Sequence, residues 1–339
     1  MNSRSAGAVI LAALEGVSLT AEEKACFQQL PPAGFTLFRR NLAPSYADIQ
    51  TLNTQLQTLK SPSSGPLLIA IDQEGGRVAR LRAPFPNLGP ALHLAGSART
   101  PEALLEIQNY GFVVATMLRT LGITVNFAPV LDILTREENV AIGDRCFGRE
   151  AAHVTERAGA FIEGLQSGGV WGCLKHFPGQ GDAAADTHES GTRIEASLDL
   201  LWSRELQPFV SLMPKSPMVM ISHAVYPALD PLRPASLSPL IMQGLLRQQM
   251  GYRGLIVSDD MNMKAIDQAR EPWCEAIVTA IAAGSDLMLV CRELERYRWA
   301  VEAVSREAGR SPAFSARLEE ARMRVENLRR SGWQSPLES

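Results

Sequence analysis

Cysteine is scarce and scattered in this chain. Its 339 residues contain five cysteines, at positions 26, 146, 173, 274 and 291, and none of them forms a Cys-x-x-Cys pair. An odd number of widely spaced cysteines argues against a disulfide framework and against a cysteine metal site. Reduced thiols are the natural interpretation, so we expect a cytoplasmic protein.

An excess of charge of either sign is missing too. The 33 Lys and Arg residues nearly balance the 36 Asp and Glu residues, for a formal net charge of −3. A chain without a basic excess has no general attraction to nucleic acid or to an acidic membrane surface. We therefore expect neither nucleic acid nor a membrane as a partner.

Long apolar runs are also lacking. No segment reaches the roughly 18 apolar residues that a membrane span needs. The apolar stretch at residues 6–14 is short, and it ends in Glu15-Gly16 without a small-residue cleavage pattern after it. We interpret this stretch as part of a first buried strand.

What the chain does contain is eight short apolar runs, with helix-length segments between most of them. Continuous apolar runs of this length fit strands that are buried on both faces, as in a parallel sheet. Eightfold strand–helix alternation predicts an α/β protein with a (β/α)8 TIM-type barrel, its first strands allowed to be irregular; an open doubly wound sheet is the alternative. The predicted strands are residues 8–11, 35–38, 67–72, 125–130, 171–176, 218–223, 255–259 and 286–290.

The length leaves no room for a second large domain beside such a barrel. We expect residues 1–339 to form a single catalytic barrel domain. Two charged amphipathic helices, at about residues 292–308 and 312–330, are predicted to close the barrel at its C-terminal end.

Charged or strongly polar residues follow six of the eight predicted strands. In a barrel these ends meet on one face, which is where active sites lie. By themselves, most of these residues are more typical of a helix cap or a polar loop residue than of an active site. The six groups are Arg39-Arg40-Asn41, Asp72-Gln73-Glu74, Asp132, Lys175-His176, His223 and Asp259-Asp260.

The densest group of ionisable residues lies after the fifth predicted strand. Lys175, His176, Asp182, Asp186 and His188 fall close together in a chain that has only five histidines. The alternative is an ordinary surface turn with Pro and Gly. Metal binding is not expected, because the spacing matches no known metal pattern and Lys175 would repel a cation.

Two further segments end predicted strands with carboxylates. After the third strand, Asp72 is suited to accept hydrogen bonds from hydroxyl groups and Arg80 to donate them, although a helix N-cap before a solvated turn explains the pattern equally well. After the seventh, one residue of the Asp259-Asp260 pair is expected to face a ligand. The other is expected to cap a helix that begins near Met261.

Arg145 and His223 each have two interpretations, one functional and one structural. Arg145 lies in the long loop after the fourth predicted strand and either reaches the site or pairs with the adjacent Asp144. The sequence by itself favours the pair with Asp144. A lone histidine such as His223 is more often structural than catalytic.

Taken together, the motifs resemble glycoside hydrolase family 3. Lys-His-Phe-Pro-Gly-x-Gly-Asp with a following Asp-x-His, Asp-Gln-Glu-Gly-Gly-Arg-Val, and Ser-Asp-Asp-Met-x-Met occur in the order of that family between about residues 8 and 290. The chain is most similar to the single-domain bacterial β-N-acetylhexosaminidases of cell-wall recycling. The two-domain β-glucosidases of the family lack the Asp-x-His loop and carry a second large domain.

The resemblance implies a role for each matching residue. Asp259 matches the nucleophile, His188 the general acid/base, and Asp186 its dyad partner. Gln180 departs from the family, which often has His there, and we expect modest effects on loop packing or aglycone contact. The residues that match those holding N-acetylglucosamine are Asp72, Arg80, Arg145, Lys175 and His176.

These roles predict a retaining exo-β-N-acetylglucosaminidase that releases terminal N-acetylglucosamine from peptidoglycan (muropeptide) fragments through a covalent glycosyl-enzyme. An imidazole with an ordinary pKa of about 6.5 suits proton transfer near neutrality, and Asp186 would fix its tautomer. We expect a monomer that needs no cofactor and takes a saccharide as its substrate. Two alternatives stay open: a family 3 phosphorylase that uses phosphate in place of water, and a non-catalytic sugar-binding protein.

Overall fold

Eight parallel strands close into a barrel in the computed structural model, which describes residues 3–86, 88–94, 100–183 and 192–331. Each strand overlaps one of the eight predicted runs, so the prediction of a (β/α)8 barrel is confirmed. The strands, labelled β1 to β8 in chain order, are Ile10–Ala12, Gly34–Leu37, Leu68–Ile71, Val125–Asn126, Trp171–Phe177, Met218–Ile221, Leu255–Asp260 and Leu287–Leu289.

The strands follow chain order around the barrel. β1 pairs with β8 through Ile10 and Met288, and this pairing closes the sheet. The parallel arrangement places all eight C-terminal strand ends on one face. At Gly34 in β2, a Cβ atom would lie 1.9 Å from the carbonyl oxygen of Leu68, so only glycine fits where β2 passes β3.

Helices surround the barrel. The helix Pro101–Thr120 illustrates how they begin: the Thr100 side chain accepts a hydrogen bond from the backbone N–H of Ala103, and Pro101 occupies the first helical position. No helix among the described residues is long and apolar enough to cross a membrane. The helices α1 to α10 are Ser3–Gly7, Ala21–Gln29, Tyr46–Gln57, Pro101–Thr120, Ala151–Ser167, Leu198–Leu200, Gln207–Leu212, Arg270–Ala283, Leu294–Arg310 and Pro312–Ser331.

Apolar side chains pack on both sides of the strands. One layer fills the barrel interior and includes Leu11, Ala70, Val125 and Met220. A larger layer lies between the strands and the helices. Because both faces of the strands are buried, their sequences are continuously apolar rather than alternating.

Two predicted elements differ from the structure. β4 covers only Val125–Asn126, and beyond it Val130 forms an isolated bridge with Lys175. The helix expected near Met261 is also absent, since residues 261–269 form turns and α8 begins at Arg270. Asp260 therefore caps no helix there, and the expectation that it would is wrong.

Buried ion pairs attach the C-terminal helix α10 to the barrel. Asp286, immediately before β8, is fully buried, and its Oδ1 lies 2.6 Å from Nη2 of Arg317 in α10. Its Oδ2 lies 2.5 Å from Nη2 of Arg247 and accepts a hydrogen bond from the backbone N–H of Ile256. Helices α9 and α10 lie where the two C-terminal helices were predicted.

Candidate active site

A cavity of about 340 Å³ opens among the C-terminal ends of the strands. It brings together six of the eight site residues predicted from the sequence: Asp72, Arg80, Arg145, Lys175, His176 and Asp259. The other two, Asp186 and His188, lie in residues 184–191, outside the described residues.

Asp72 follows β3 and binds two cations. Its Oδ2 lies 2.9 Å from Nη2 of Arg80, and its Oδ1 lies 2.9 Å from Nζ of Lys175. Burial by itself would raise the pKa of Asp72, but the positive charges of Lys175 and Arg80 lower it well below its usual range. Asp72 is therefore ionised, and its carboxylate orients both cations at the cavity wall.

Glu74 is a member of the site that the sequence did not assign to it. Its Oε1 lies 2.6 Å from Nζ of Lys175, and its side chain is only 3% exposed. Arg145 donates to both of its oxygens, from Nε and Nη2, at 2.8 Å each. Burial would raise the pKa of Glu74, but the attraction of Lys175 and Arg145 lowers it to about 2. The only sequence signal for this residue was its place just after a predicted strand.

The pairing of Arg145 corrects the interpretation that the sequence favoured. Arg145 bonds to Glu74 rather than to its neighbour Asp144. Asp144 instead accepts a hydrogen bond at 2.9 Å from Nε of Arg77, which lies on the surface. Arg145 therefore reaches the cavity, as its resemblance to sugar-binding residues implied.

His176, at the end of β5, is oriented by a second carboxylate, Asp132. The His176 Nδ1 lies 2.7 Å from Oδ2 of Asp132, which is fully buried. The other carboxylate oxygen, Oδ1, accepts hydrogen bonds from the backbone N–H groups of His176, at 3.3 Å, and Gln180, at 2.7 Å. A carboxylate on Nδ1 fixes the ring so that Nε2 is the nitrogen left for a ligand. The sequence indicates Asp132 only as a polar residue at a strand end.

Asp259 and Asp260 end β7, and their surroundings distinguish them. Oδ1 of Asp260 accepts hydrogen bonds from the backbone and the side-chain nitrogens of Asn262, and burial raises the pKa of Asp260. Oδ1 of Asp259 accepts only the backbone N–H of Asp260, at 2.8 Å, and no cation among the described residues pairs with Asp259. Asp259 is thus the less constrained carboxylate of the two.

His223 has the structural place expected of a lone histidine. Its Nδ1 lies 2.6 Å from Oγ of Ser236, and its Nε2 lies 3.1 Å from the carbonyl oxygen of Asp260. Because a carbonyl oxygen can only accept, Nε2 carries the proton and Nδ1 accepts from the Ser236 hydroxyl. His223 therefore supports the backbone beside Asp259.

The loop after β5 begins with a tightly fixed segment, residues 178–183. The side-chain nitrogen of Asn139 donates to the carbonyl oxygens of Gln180 and Gly181, at 2.8 and 3.0 Å. A Cβ atom at Gly181 would lie 1.6 Å from the carbonyl oxygen of Ile133, so the sequence must have glycine there. The chain leaves this segment at Ala183 toward residues 184–191, which include Asp186 and His188.

These contacts describe a site for a polar, hydroxyl-rich ligand. Charged hydrogen-bonding groups from the ends of β3, β4, β5 and β7 surround one cavity. Among the described residues no cation pairs with its carboxylates Asp259 and Asp260, and only Asp260 is held by Asn262. The profile of the glycosyl hydrolase family 3 N-terminal domain matches residues 10–328. The chain belongs to glycosyl hydrolase family 3. This family 3 chain is a glycoside hydrolase, and the resemblance noted in its motifs is confirmed.

Named relatives place it in the β-hexosaminidase branch of the family. A β-hexosaminidase of Idiomarina loihiensis is 34% identical over 283 residues, which cover 83% of this chain and 82% of that protein. A β-hexosaminidase of Nitrosomonas eutropha is 37% identical over 283 residues, covering 83% of this chain and 79% of the other.

Solved structures of family 3 proteins resemble the barrel closely. A β-N-acetylglucosaminidase from a Paenibacillus species superimposes with a TM-score of 0.88 at 33% identity, covering 97% of this chain; this chain spans 63% of its length. NagZ from Neisseria gonorrhoeae in complex with N-trifluoroacetyl-D-glucosamine has a TM-score of 0.76 at 30% identity, covering 94% of this chain and 97% of the other.

Proposed function

We propose that this family 3 hydrolase is a retaining exo-β-N-acetylglucosaminidase that acts on muropeptide fragments of peptidoglycan. The observation that carries the proposal is a contrast between carboxylates: no cation among the described residues pairs with Asp259, whereas Asp72, in the same cavity, and Glu74 are each held by two. A nucleophile must be ionised and free to bond, while binding groups must be fixed in place.

The first half of the reaction forms a covalent intermediate. An oxygen of Asp259 bonds to the anomeric carbon as the glycosidic C–O bond breaks, and His188 gives its proton to the leaving oxygen. In the second half, His188 removes a proton from water, the water oxygen bonds to the anomeric carbon, and the bond to Asp259 breaks. Two inversions give net retention. Asp186 accepts a hydrogen bond from the imidazole and fixes its tautomer.

The size of the cavity and its charged lining suit a single terminal sugar. A volume of about 340 Å³ lies near the lower end of the roughly 300–1,000 Å³ of small-molecule sites. Asp72, Arg80, Lys175, His176 and Arg145 are the groups that would bind its hydroxyl and acetamido substituents. We further propose that residues 1–339 act as one catalytic domain and as a monomer in the cytoplasm, without a cofactor.

The test is turnover of a nitrophenyl N-acetyl-β-glucosaminide, followed by that of a muropeptide fragment. The first sugar released should be the β-anomer in proton NMR, and release of the α-anomer would exclude retention. Product analysis in phosphate buffer should give free N-acetylglucosamine; the sugar 1-phosphate would identify the phosphorylase. Saturable sugar binding without any turnover would identify a non-catalytic binding protein.

A further inference from the structure

Glu205 is a buried acid that the proposed reaction does not use. It ends the π-helical segment Leu201–Glu205, and its side chain is fully buried. Its Oε1 accepts a hydrogen bond from Nε of Arg204 at 2.6 Å, whereas its Oε2 has no partner among the described residues. A Cβ atom on Gly179 would lie 3.1 Å from that Oε2. The unpaired oxygen therefore lies against the backbone of the segment that leads to residues 184–191.

This segment, residues 178–183, is called the loop base below. Besides the contacts of Asn139, the hydroxyl of Tyr226 donates to the carbonyl oxygen of Gly179 at 2.9 Å. Asp182 pairs with Nε of Arg136 at 2.6 Å and with Nη2 of Arg204 at 3.3 Å. Glu205 Oε2 lies against Gly179, so the loop base covers this oxygen.

The charges around Glu205 favour its neutral form. Burial raises the pKa of Glu205 to about 7; Arg204 opposes this rise, and the negative charges of Asp132 and Asp182 add to it. Tyr226 also faces Glu205, and burial raises the pKa of its hydroxyl, so that group stays neutral. A charged oxygen without a partner is far more costly to bury than a neutral carboxyl group.

We propose that Glu205 is a positioning residue for the loop base: its neutral carboxyl group keeps the loop base seated on Leu201–Glu205, and its ionisation unseats the loop base. Movement of the loop base opens Oε2 to water, where a carboxylate is solvated. Ionisation of Glu205 and movement of the loop base are therefore coupled, since each lowers the free-energy cost of the other.

The sign of the pH dependence follows from the direction of the shift. The pKa of Glu205 is higher with the loop base seated than in water, where a Glu has a pKa of about 4.3. The seated arrangement is fully favoured below that lower value and loses stability as the pH rises through about 7. An effect of this movement on catalysis rests on the proposed function, in which His188 is the acid/base. His188 follows the loop base by a few residues in the sequence.

Hydrogen exchange tests the coupling without any assay of activity. Protection factors of peptides covering residues 178–183, corrected for intrinsic exchange, should fall about tenfold or more between about pH 5.5 and about pH 8.5 in the wild type. In Glu205→Gln, which mimics the neutral acid, they should stay constant. Constant protection in the wild type, or an equal fall in both proteins, would overturn the proposal. The wild-type series decides the matter even if the variant does not fold.

A second buried glutamate provides the matched control. Both oxygens of Glu23 accept backbone N–H groups, from Glu15 at 2.9 Å and from Thr20 at 2.8 Å. Glu23→Gln should leave the pH dependence of exchange at the loop base unchanged. A change as large as that in Glu205→Gln would show that the effect is general to buried acids and would refute the proposal.

Steady-state kinetics provide a second test of the proposal. The ratio of kcat/KM in Glu205→Gln to that in the wild type should be near one at acid pH and rise as the pH passes about 7. A ratio that does not change with pH would contradict a positioning role. If neither protein turns over a glycoside, the proposed function fails, and the exchange measurement still decides whether Glu205 seats the loop base.

Discussion

The ammonium group of Lys175 lies 2.6 Å from Oε1 of Glu74, and both side chains are almost completely buried. Burial would lower the pKa of Lys175, but the carboxylates of Asp72 and Glu74 raise it, so Lys175 stays charged. A buried ion pair is strongly destabilised when one partner is removed, because the other charge is left without compensation. Glu74 is therefore expected to position Lys175 and Arg145, the two cations proposed to bind the sugar, without touching the sugar itself.

Glu74→Gln tests that role. The variant removes the charge that holds both Lys175 and Arg145, and it should lower kcat/KM by about 10- to 100-fold, equivalent to about 1.5–3 kcal/mol. Steady-state kinetics with a nitrophenyl N-acetyl-β-glucosaminide measures the effect. Asp144→Asn is the matched control, since it breaks only the pair with Arg77, whose side chain is 46% exposed. Unchanged kinetics in Glu74→Gln would show that Lys175 and Arg145 are positioned without it.

The depressed pKa of Glu74 also predicts how the protein responds to acid. An acid whose pKa is lowered on folding stabilises the native state above its unfolded value, about 4.3 for Glu. That contribution, on the order of 3 kcal/mol, is lost as the pH falls toward about 2. Urea unfolding between these pH values should show a steeper loss of stability in the wild type than in Glu74→Gln. Parallel curves would mean that Glu74 is not ionised in its buried pair.

Asp259→Asn should almost abolish turnover while leaving the fold and sugar binding intact, because an amide is a poor nucleophile. A mechanism-based fluorosugar should label Asp259, which peptide mass spectrometry can locate. Asp260→Asn should still be labelled, since Asp260 bonds to Asn262 instead. A label found on Asp260 or Glu74 would refute the assignment of the nucleophile.

His188→Ala should affect poor leaving groups most. A sugar departs as an alkoxide and needs a proton, whereas a nitrophenolate leaves largely unaided, so the loss on disaccharides should be roughly 10²–10⁴-fold. With nitrophenyl substrates we expect a burst followed by slow turnover, because water also needs the base. Asp186→Asn should give a milder form of both effects.

Equal losses on good and poor leaving groups, without a burst, would show that His188 is not the proton donor. Glu74 and Asp182 are poor replacements for it. Glu74 is held ionised by two cations, and Asp182 pairs with Arg136 and Arg204.

Asp286→Asn should destabilise the barrel without changing its chemistry. The variant removes the carboxylate charge that pairs with Arg247, Arg317 and Arg324, and it leaves the buried Arg247 without an acidic partner among the described residues. This loss should cost about 3–5 kcal/mol in the free energy of unfolding. Thermal unfolding measures the loss, and kcat/KM well below the transition should stay the same. Glu302→Gln, which breaks only surface pairs with Arg270 and Arg306, should cost less than about 1 kcal/mol. Similar losses in both variants would show that burial adds nothing to the Asp286 pairs.

The sequence by itself determined the barrel and the face that carries the site. Strands buried on both faces must be continuously apolar, so all eight were visible as short apolar runs. Asp72, which follows Ile71, and Asp259, near the end of Leu255–Asp260, could be placed together because parallel strands bring their C-terminal ends to one face. The motifs were specific enough to indicate the family.

Only the tertiary structure decided which charges pair. Arg145 bonds to Glu74, 71 residues away, and His176 bonds to Asp132, 44 residues away. Sequence proximity favoured Asp144 for Arg145, but the path of the loop after β4 turns the two side chains toward different partners. The energy of a pair depends on distance and burial in the folded chain. The apolar pattern that specifies the strands gives neither the distances between loop residues nor their burial. The ion pairs of the site are therefore decided only when loops that are distant in sequence meet above the barrel.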